Sequence, residues 1–435
     1  MLDIKFIREN LNAIRENCAN RNARVDLGRF LALEEERRLK ITALEEIRRL
    51  QNETAEKMRG KQGQPEREML ISLGKELKLR AQEAEESARS AETALAELAR
   101  QIPNMTHPES PVCLDESGNK EIRRWGEPAK FDFKALDHVV LGERLSLIDF
   151  DSGAKVAGQK FYYLKNEAVL LEQALILYAL HSLRKEGFSP IMTPDLAREQ
   201  ILSGIGFNPR GAETQIYSVA NTDLCLIATA EITLGGMLAD TILEESQLPA
   251  RYVGVSHCFR TEAGAAGRES KGLYRVHQFT KVEMFAFTTP ETSEAMHEEF
   301  VRHEEKLFQG LGIPYRVVDI CTGDMGGPAY RKYDLEAWMP GRGENGDYGE
   351  VTSTSNCTDY QARRLGIRFR PATESSAGQR EGSKKLRFVH MINGTAIAIS
   401  RALIAVLENY QQKDGSVLVP KALLPYMGGV ERISR

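Results

Sequence analysis

The chain has 435 residues, of which 42% are hydrophobic and 28% are charged, so it can bury a large core and is long enough for two or three domains. Its net charge of -4 argues against a uniformly basic nucleic-acid binder, and any contact with RNA must therefore be local. The opening residues carry no signal-peptide pattern, and no apolar run approaches the roughly 18 residues of a membrane span. We therefore expect a cytoplasmic protein without membrane contact.

The six cysteines lie far apart, and no two of them form a Cys-x-x-Cys pair. This spacing predicts neither a zinc site nor a disulfide framework, and it favours reduced, mostly buried thiols. They are Cys18, Cys113, Cys225, Cys258, Cys321 and Cys357.

Residues 1–26 contain a short helical pattern, and residues 27–100 then become rich in Ala, Glu, Lys, Arg and Leu. Apolar residues at spacings of three and four from Leu70 to Leu98 are typical of a coiled-coil seam. The sequence GKQGQPE at 60–66 separates two helices, so we predict an antiparallel hairpin about 50 Å long. Fifteen basic and fifteen acidic residues make this arm neutral, which on charge alone favours a packing or dimerising coiled coil.

A segment rich in Pro, Ser and Asn follows the arm, and we expect residues 106–136 to be a linker. From residue 137 the pattern becomes mixed, beginning with an amphipathic helix over 164–187 and a short strand interrupted by Pro190 and Pro194. Strand-like runs then recur at 224–228, 252–259, 276–287, 315–320, 348–352 and 387–392. Hairpin-compatible turns join several of them, which predicts an α+β fold built on an antiparallel sheet. No glycine motif of a Rossmann or P-loop site follows a strand.

Two strand-like runs within residues 255–286 flank a loop rich in Gly, Ala, Arg and Lys. We expect a long hairpin on which alternate side chains share one concave face. That face would carry Arg260, Glu262, Arg275, His277, Phe279 and Glu283. Arginine suits a phosphate, an aromatic ring suits a base, and a carboxylate suits an amino group. The alternative is an edge hairpin with a solvated charged face.

Two later stretches also fit a nucleotide. Residues 393–411 form an apolar strand that leads into a helix with Arg401 near its start, and a helix N-terminus beside a cation favours phosphate. Residues 347–370 place Glu350 among hydroxyl groups, where a carboxylate near a triphosphate is a suitable ligand for Mg²⁺.

These features together resemble the class II aminoacyl-tRNA synthetases. The helix and strand before Pro194 resemble motif 1, the dimer interface of that class. Phe-Arg-x-Glu at 259–262 with Arg275 and Phe279 resembles motif 2, and the region of Arg401 resembles motif 3. Ala396, Ala398 and Ser400 stand where motif 3 usually has glycines.

The resemblance narrows to the seryl-tRNA synthetases through Thr229-Ala230-Glu231, VHQFTKVEMF at 276–285 and the C-terminal stretch 407–429. It covers essentially the whole chain and implies three domains: a tRNA-binding domain over 1–105, the linker over 106–136 and a catalytic domain over 137–435. It implies that serine binds to Thr229, Ala230, Glu231, Arg260, Glu283, Asn393 and Thr395, although many relatives have Ser in place of Thr395. It implies that ATP binds to Arg260, Thr261, Glu262, Val276, Phe279, Glu350, Val351, Thr352, Ser353 and Arg401, with Mg²⁺ on Glu350 and Ser353 and no zinc. Arg260, Glu283 and Arg401 would be catalytic.

The implied activity is ATP-dependent attachment of L-serine to serine tRNA through seryl-adenylate, with selenocysteine tRNA as a further substrate where it exists. The protein would be a homodimer. The arm would contact the long variable region of the tRNA, with Arg48, Lys57, Lys75 and Lys78 as candidate contacts, and the motif 2 loop at 263–274 would contact the acceptor end through Arg268, Lys271 and Arg275.

Three alternatives remain at this point. A threonyl enzyme would need a zinc site of Cys and His, and no such cluster stands out. An enzyme that loads amino acids onto carrier proteins would lack the helical arm. An inactive synthetase body with an RNA-binding or regulatory role would not need to keep Arg260, Glu262, Phe279, Glu350 and Arg401 together.

Overall fold

The structure is a computed structural model that describes residues 1–60, 63–207, 215–262, 272–372 and 385–435. The chain divides into two compact units, residues 1–103 and 104–435. The first unit contains the helices α1 (Ile4–Glu9), α2 (Leu11–Asn20), α3 (Leu27–Arg59) and α4 (Gln64–Ala99).

The helices α3 and α4 form the predicted hairpin. Asp26 caps α3 by accepting a hydrogen bond from the backbone N–H of Arg29, and Pro65 lies in the first turn of α4, where its missing N–H costs nothing. Near the base of the arm the seam is buried at Leu77, Ala81, Ala88, Ala91 and Leu95. Towards the tip it is exposed, since Leu73 was expected in the seam but is 41% exposed.

The second unit has an α+β fold, which confirms the predicted class. Its helices are α5 (His138–Arg144), α6 (Phe150–Ala157), α7 (Glu167–Lys185), α8 (Glu199–Ile205), α9 (Ala230–Gly236), α10 (Ser293–Leu311), α11 (Tyr360–Leu365) and α12 (Ile399–Asn409). Its strands are β1 (Lys120–Trp125), β2 (Ile148–Asp149), β3 (Tyr163–Leu164), β4 (Ser189–Met192), β5 (Leu196–Arg198), β6 (Leu224–Leu226), β7 (Ile242–Glu244), β8 (Ala250–Phe259), β9 (Gln278–Thr288), β10 (Tyr315–Asp319), β11 (Arg331–Met339), β12 (Asp347–Asn356), β13 (Arg368–Arg370), β14 (Arg387–Phe388), β15 (His390–Ala398), β16 (Val417–Leu418) and β17 (Arg432–Ile433).

An eight-stranded sheet has the order β1-β10-β11-β12-β15-β9-β8-β4. Its neighbouring strands are antiparallel except for β4 and β8, which are parallel. The edge strand β1 lies inside the segment 106–136 that was expected to be a linker, and it pairs with β10 through partners such as Lys120 and Asp319. Its exposed, charge-rich sequence KEIRRW has no apolar alternation that would have predicted a strand.

The cysteine prediction is wrong for one pair. Cys113 and Cys321 form a disulfide bond, with 5.8 Å between their Cα atoms, although 208 residues separate them in sequence. The cause is the pairing of β1 with β10, which brings the segment before β1 beside the end of β10. The remaining four cysteines are free and buried, as expected.

Strand β9 is buried on both faces, and this organises the second unit. Val282, Met284 and Ala286 face a core that also contains residues of α7, α10 and α12. Phe285 and Phe287 face a second core, with residues of α8, α9 and α11. Because strand side chains alternate, Phe279, Lys281 and Glu283 belong to the same face as this second core. That face is therefore apolar at its end and polar at its start.

Candidate active site

The polar start of this face lines a cavity of about 270 Å³. The lining includes the predicted residues Thr229, Glu231, Arg260, Glu262, Val276, Phe279, Glu283, Glu350, Val351, Thr352, Ser353, Asn393, Thr395 and Arg401. Two of the residues predicted to bind serine or ATP are not part of it. Ala230 is fully buried in α9, and the backbone N–H of Thr261 donates to the carbonyl oxygen of Gln215.

The hairpin differs from the expected one in its extent. β8 ends at Phe259 and β9 begins at Gln278, so Arg260, Glu262 and Arg275 lie beyond the strands and reach the cavity from connecting segments. Glu262 adopts a left-handed backbone with φ of 50°, which a strand does not contain.

His277 does not line the cavity, contrary to the prediction. Its ring lies 5.2 Å from that of Phe161 and 6.2 Å from that of Tyr217, between centroids. Its Nδ1 is 2.8 Å from the carbonyl oxygen of Arg260, so it ties the two sides of the hairpin together. The prediction assumed that strand side chains alternate through residue 277, but His277 precedes the first residue of β9 and is not part of the strand.

A β-bulge in β12 brings Glu350 into the cavity. Thr354 faces away from it and donates to Glu304 of α10, while Ser353 and Ser355 line it. With strict alternation, Glu350 would share the face of Thr354. The pairing with β11 slips between Leu335 and Glu336, which leaves Val351 as the extra residue. Such a bulge re-aims the following side chains, and Glu350 turns towards the cavity.

A second bulge, in β15, has a similar effect. The pairing with β9 shifts between Thr395 and Ile397, leaving Ala396 as the extra residue. Thr395 and Ala398 consequently both line the cavity, together with Ser400, whereas Ala396 is fully buried elsewhere. Two of the three replacements for motif 3 glycines therefore add atoms to the cavity wall.

One end of the cavity is an arginine region. Arg401, in the first turn of α12, forms an ion pair of 3.0 Å with Glu350, and it lies over the ring of Tyr274 at 4.6 Å. Burial acts to raise the pKa of Glu350, but Arg401, Lys332 and Arg260 outweigh it and lower the pKa to about 2. Glu350 is thus an anion throughout the physiological pH range.

Arg260 is the second member of the arginine region, and it lies against Phe279. The Arg260 guanidinium is 5.2 Å from the centre of the Phe279 ring, and its Nε donates to the carbonyl oxygen of Ala228 at 3.4 Å. Glu262 is 3.6 Å from Arg275. An aromatic ring, two cations and a carboxylate thus surround a space that suits a nucleotide.

The other end of the cavity is a carboxylate region formed by Glu231 and Glu283. Glu231 lies in the first turn of α9, which Thr229 caps by accepting from the backbone N–H of Glu231 at 3.1 Å. Its Oε1 accepts from Gln361 at 2.8 Å and from Asn393 at 3.0 Å. Burial and the neighbouring charge of Glu283 raise the pKa of Glu231 to about 7.

Glu283 is held differently. Its Oε2 lies 2.6 Å from the ammonium of Lys281 and accepts from the hydroxyl of Thr395 at 3.3 Å. The sequence prediction missed Lys281 and Gln361. Alternation could have found Lys281, which lies between Phe279 and Glu283 on the same face, but no local signal marks Gln361, which reaches Glu231 from α11.

Part of the prediction lies outside the described residues. Arg268 and Lys271 of the expected acceptor-end loop belong to the segment 263–271, and only Arg275 of that trio is described. Within the described ranges, no three His, Cys, Asp or Glu residues gather in a metal-binding cluster. No helix in these ranges has the length and hydrophobicity needed to cross a membrane.

Comparison with known proteins identifies the family. Residues 1–106 match the seryl-tRNA synthetase N-terminal domain, and residues 216–410 match the class II core domain of the synthetases for Gly, His, Pro, Ser and Thr. The chain is 55% identical to a serine–tRNA ligase of Treponema denticola, over 98% of this chain and 99% of the relative. It is 58% identical to that of Rubrobacter xylanophilus, over 98% of each chain.

A solved structure gives the same result. The seryl-tRNA synthetase of Pyrococcus horikoshii complexed with ATP is 42% identical, with a TM-score of 0.87, over 100% of this chain and 99% of that one. The resemblance inferred from the sequence is therefore confirmed, and the chain belongs to the seryl-tRNA synthetase family of class II serine–tRNA ligases.

Proposed function

We propose that the cavity binds L-serine and ATP side by side and forms seryl-adenylate, from which the seryl group passes to serine tRNA. The observation that carries this proposal is that one cavity joins a carboxylate region, Glu231 and Glu283, to an arginine region, Arg260 and Arg401. An amino acid needs an anionic site for its ammonium, and a triphosphate needs cations. The ATP complex of the Pyrococcus horikoshii relative supports the second assignment.

In the first step, the serine carboxylate attacks the α-phosphorus of ATP and pyrophosphate leaves. In the second, a hydroxyl of the terminal tRNA ribose displaces AMP. Neither step needs a covalent enzyme group, so positioning and charge neutralisation carry the rate. Arg260 would contact the serine carboxylate and the α-phosphate, Arg401 the γ-phosphate, and Phe279 the adenine ring. Glu262 would accept from the adenine amino group after giving up its contact with Arg275.

Glu350 and Ser353 would hold Mg²⁺ with the ATP phosphates. The donor set fits, because Glu350 is ionised and lines the same cavity as Ser353, and Mg²⁺ commonly uses one or two carboxylates with substrate phosphates. The bound ion would neutralise phosphate charge. Arg401 now pairs with Glu350, so we expect it to exchange this partner for the γ-phosphate when the nucleotide binds.

The serine hydroxyl would hydrogen-bond to Glu283, a buried carboxylate whose Oε2 is held by Lys281 and Thr395. A site built to bond a hydroxyl rejects an analogue without it by about 10⁴ to 10⁵, whereas a missing methylene yields only about 10- to 200-fold. We therefore expect alanine to be an extremely poor substrate.

The partners follow from the same assignment. The arm α3–α4 would contact the variable region of serine tRNA, and selenocysteine tRNA would be charged where it is present. We also propose a cytoplasmic homodimer. Support for the dimer comes from the region resembling motif 1, where Val169, Leu170 and Leu177 of α7 are 38–43% exposed and Met192 of β4 is 78% exposed.

The test is ATP–pyrophosphate exchange with a panel of amino acids, followed by transfer to purified serine tRNA. We expect exchange with serine, almost none with alanine or threonine, and transfer to serine tRNA. Exchange with none of the amino acids would favour an inactive body, and equal exchange with alanine would remove the role given to Glu283.

A further inference from the structure

Lys281 lies in the middle of β9, and its side chain is 7% exposed. Its ammonium is 2.6 Å from Glu283 Oε2 and donates to the hydroxyl of Thr395 at 3.4 Å. A buried lysine is costly unless its charge is matched, and here the match is a residue of the cavity wall. The proposed reaction steps give the Lys281 ammonium no role of its own.

The two carboxylates of the cavity differ in their partners. Within the described part of the chain, Glu231 accepts hydrogen bonds from the neutral amides of Gln361 and Asn393, while Glu283 forms an ion pair with Lys281. Two nearby carboxylates in a poorly solvated space do not both ionise easily, because each raises the pKa of the other. An adjacent cation opposes this effect.

The other titratable groups around the pair do not supply that cation or compete for it. Burial raises the pKa of both Cys258 of β8 and Glu304 of α10, which disfavours the anionic form of each. Arg260 lies against Phe279 and the carbonyl oxygen of Ala228, and Lys332, which also lines the cavity, pairs with Asp334 at 3.1 Å. Lys281 is thus the cation in direct contact with Glu283.

We propose that Lys281 is a positioning residue of the serine site: its buried ammonium fixes Glu283 by one oxygen and places a positive charge beside the neighbouring carboxylates Glu231 and Glu283, which face an amino acid with an ammonium and a hydroxyl. This inference rests on the proposed function. Without the Lys281 ammonium, the pair Glu231 and Glu283 would hold a proton more tightly, and serine would bind well only at a higher pH at which that proton is lost.

The experiment compares Lys281→Gln, Lys281→Arg and the parent in ATP–pyrophosphate exchange, with serine kcat/KM measured from pH 5.5 to 9. Arg251→Gln is the matched control, because it also removes the cation of an ion pair, with Glu299 at 2.9 Å, at the β8–β9 hairpin but outside the cavity. Melting temperature and the KM for ATP are measured for every variant.

In Lys281→Gln we expect the acid limb of the profile to move to higher pH by at least about one unit, which is about a tenfold loss near pH 6.5 and less above pH 8. Lys281→Arg keeps the charge and should keep the parental midpoint even if its kcat/KM is lower. The KM for ATP should stay within about twofold of the parent, because the arginine region is intact.

An unmoved midpoint in Lys281→Gln, with an equal loss at every pH or no loss, would overturn the inference, and so would an equal shift in Lys281→Arg or Arg251→Gln. These outcomes are distinct from failure of the proposed function, which would appear as absence of serine-dependent exchange in the parent.

Discussion

The arm and the cavity contain the same kinds of ion pair in opposite surroundings. In the arm, Arg48 of α3 pairs with Glu85 of α4 at 2.5 Å, and both side chains are more than half exposed. In the cavity, Lys281 and Glu283 pair at 2.6 Å, with 7% and 2% of their side chains exposed. Exposed pairs contribute about 0–1 kcal/mol, whereas removing one partner of a buried pair costs about 3–5 kcal/mol.

This difference in exposure fits different roles for the two units, RNA contact for the arm and catalysis for the cavity. Charges on the arm are already hydrated, so they can exchange a carboxylate partner for an RNA phosphate at little cost. Charges in the cavity are held in place before substrate arrives, which is the arrangement that electrostatic catalysis requires. The predictions below test whether the two sets of charges behave as differently as their surroundings indicate.

The largest effect is expected from Arg401→Ala. This change removes the cation proposed for the γ-phosphate and leaves Glu350 without its ion-pair partner. Loss of one such preorganised contact typically costs about 10² to 10³ in rate, so pyrophosphate exchange should fall by at least that factor. Arg432→Ala, which removes an exposed pair with Asp414, is the control and should retain parental exchange. Near-parental exchange by Arg401→Ala would show that the phosphate assignment is wrong.

Glu231→Gln should lower activity and raise stability at the same time. The folded pKa of about 7 lies above the unfolded value of about 4.3, so the parent protein loses stability as pH rises from about 4.5 to 7. Glutamine can still accept from Gln361 and Asn393 but carries no buried charge. We therefore expect the variant to gain on the order of 2 kcal/mol at pH 8 and almost nothing at pH 4.5.

Denaturant unfolding at pH 4.5 and pH 8 measures this difference, and serine-dependent exchange measures the loss of function. If the variant is less stable than the parent at pH 8, ionisation of Glu231 does not destabilise the folded protein, and the prediction is wrong.

The smallest effect is expected on the arm. Lys75 and Lys78 are exposed on α4, and replacing either with Ala should leave the melting temperature unchanged. If the side chain contacts a phosphate, tRNA binding should weaken and the dependence of log Kd on log salt should become shallower by about one unit. Lys413→Ala, at an exposed pair with Asp132 in the second unit, is the control. An unchanged salt slope in all of these variants would remove Lys75 and Lys78 from the RNA contact.

The sequence predicted the elements whose pattern is local. The hairpin of α3 and α4, the helix α7 and the strands β8, β9 and β12 follow from periodicity and breakers, and the α+β class follows from their order. Strand β1 was missed because an edge strand with the sequence KEIRRW has no buried face. The Cys113–Cys321 bond was missed because its two residues meet only through the pairing of β1 with β10.

The sequence predicted most of the residues that line the candidate site, but it did not predict how their side chains are oriented. The motifs identified Glu350, Thr395 and Arg401 as site residues. The bulges at Val351 and Ala396, however, depend on pairing between strands, and these bulges set the direction of the surrounding side chains. The charge state of Glu231, which lies in α9, depends on Gln361 of α11 and on Lys281 and Glu283 of β9. Such properties arise from tertiary contacts, and no single motif encodes them.

The most direct test of the division between the two units is to remove one of them. Residues 30–97 are replaced with a short Gly/Ser connector, and both half-reactions are measured with the same preparation. Because the sheet and the cavity residues lie in 104–435, serine-dependent pyrophosphate exchange should stay within about threefold of the parent, while transfer to serine tRNA should fall by orders of magnitude. Unchanged transfer by this variant, or loss of exchange while the second unit remains folded, would contradict the account.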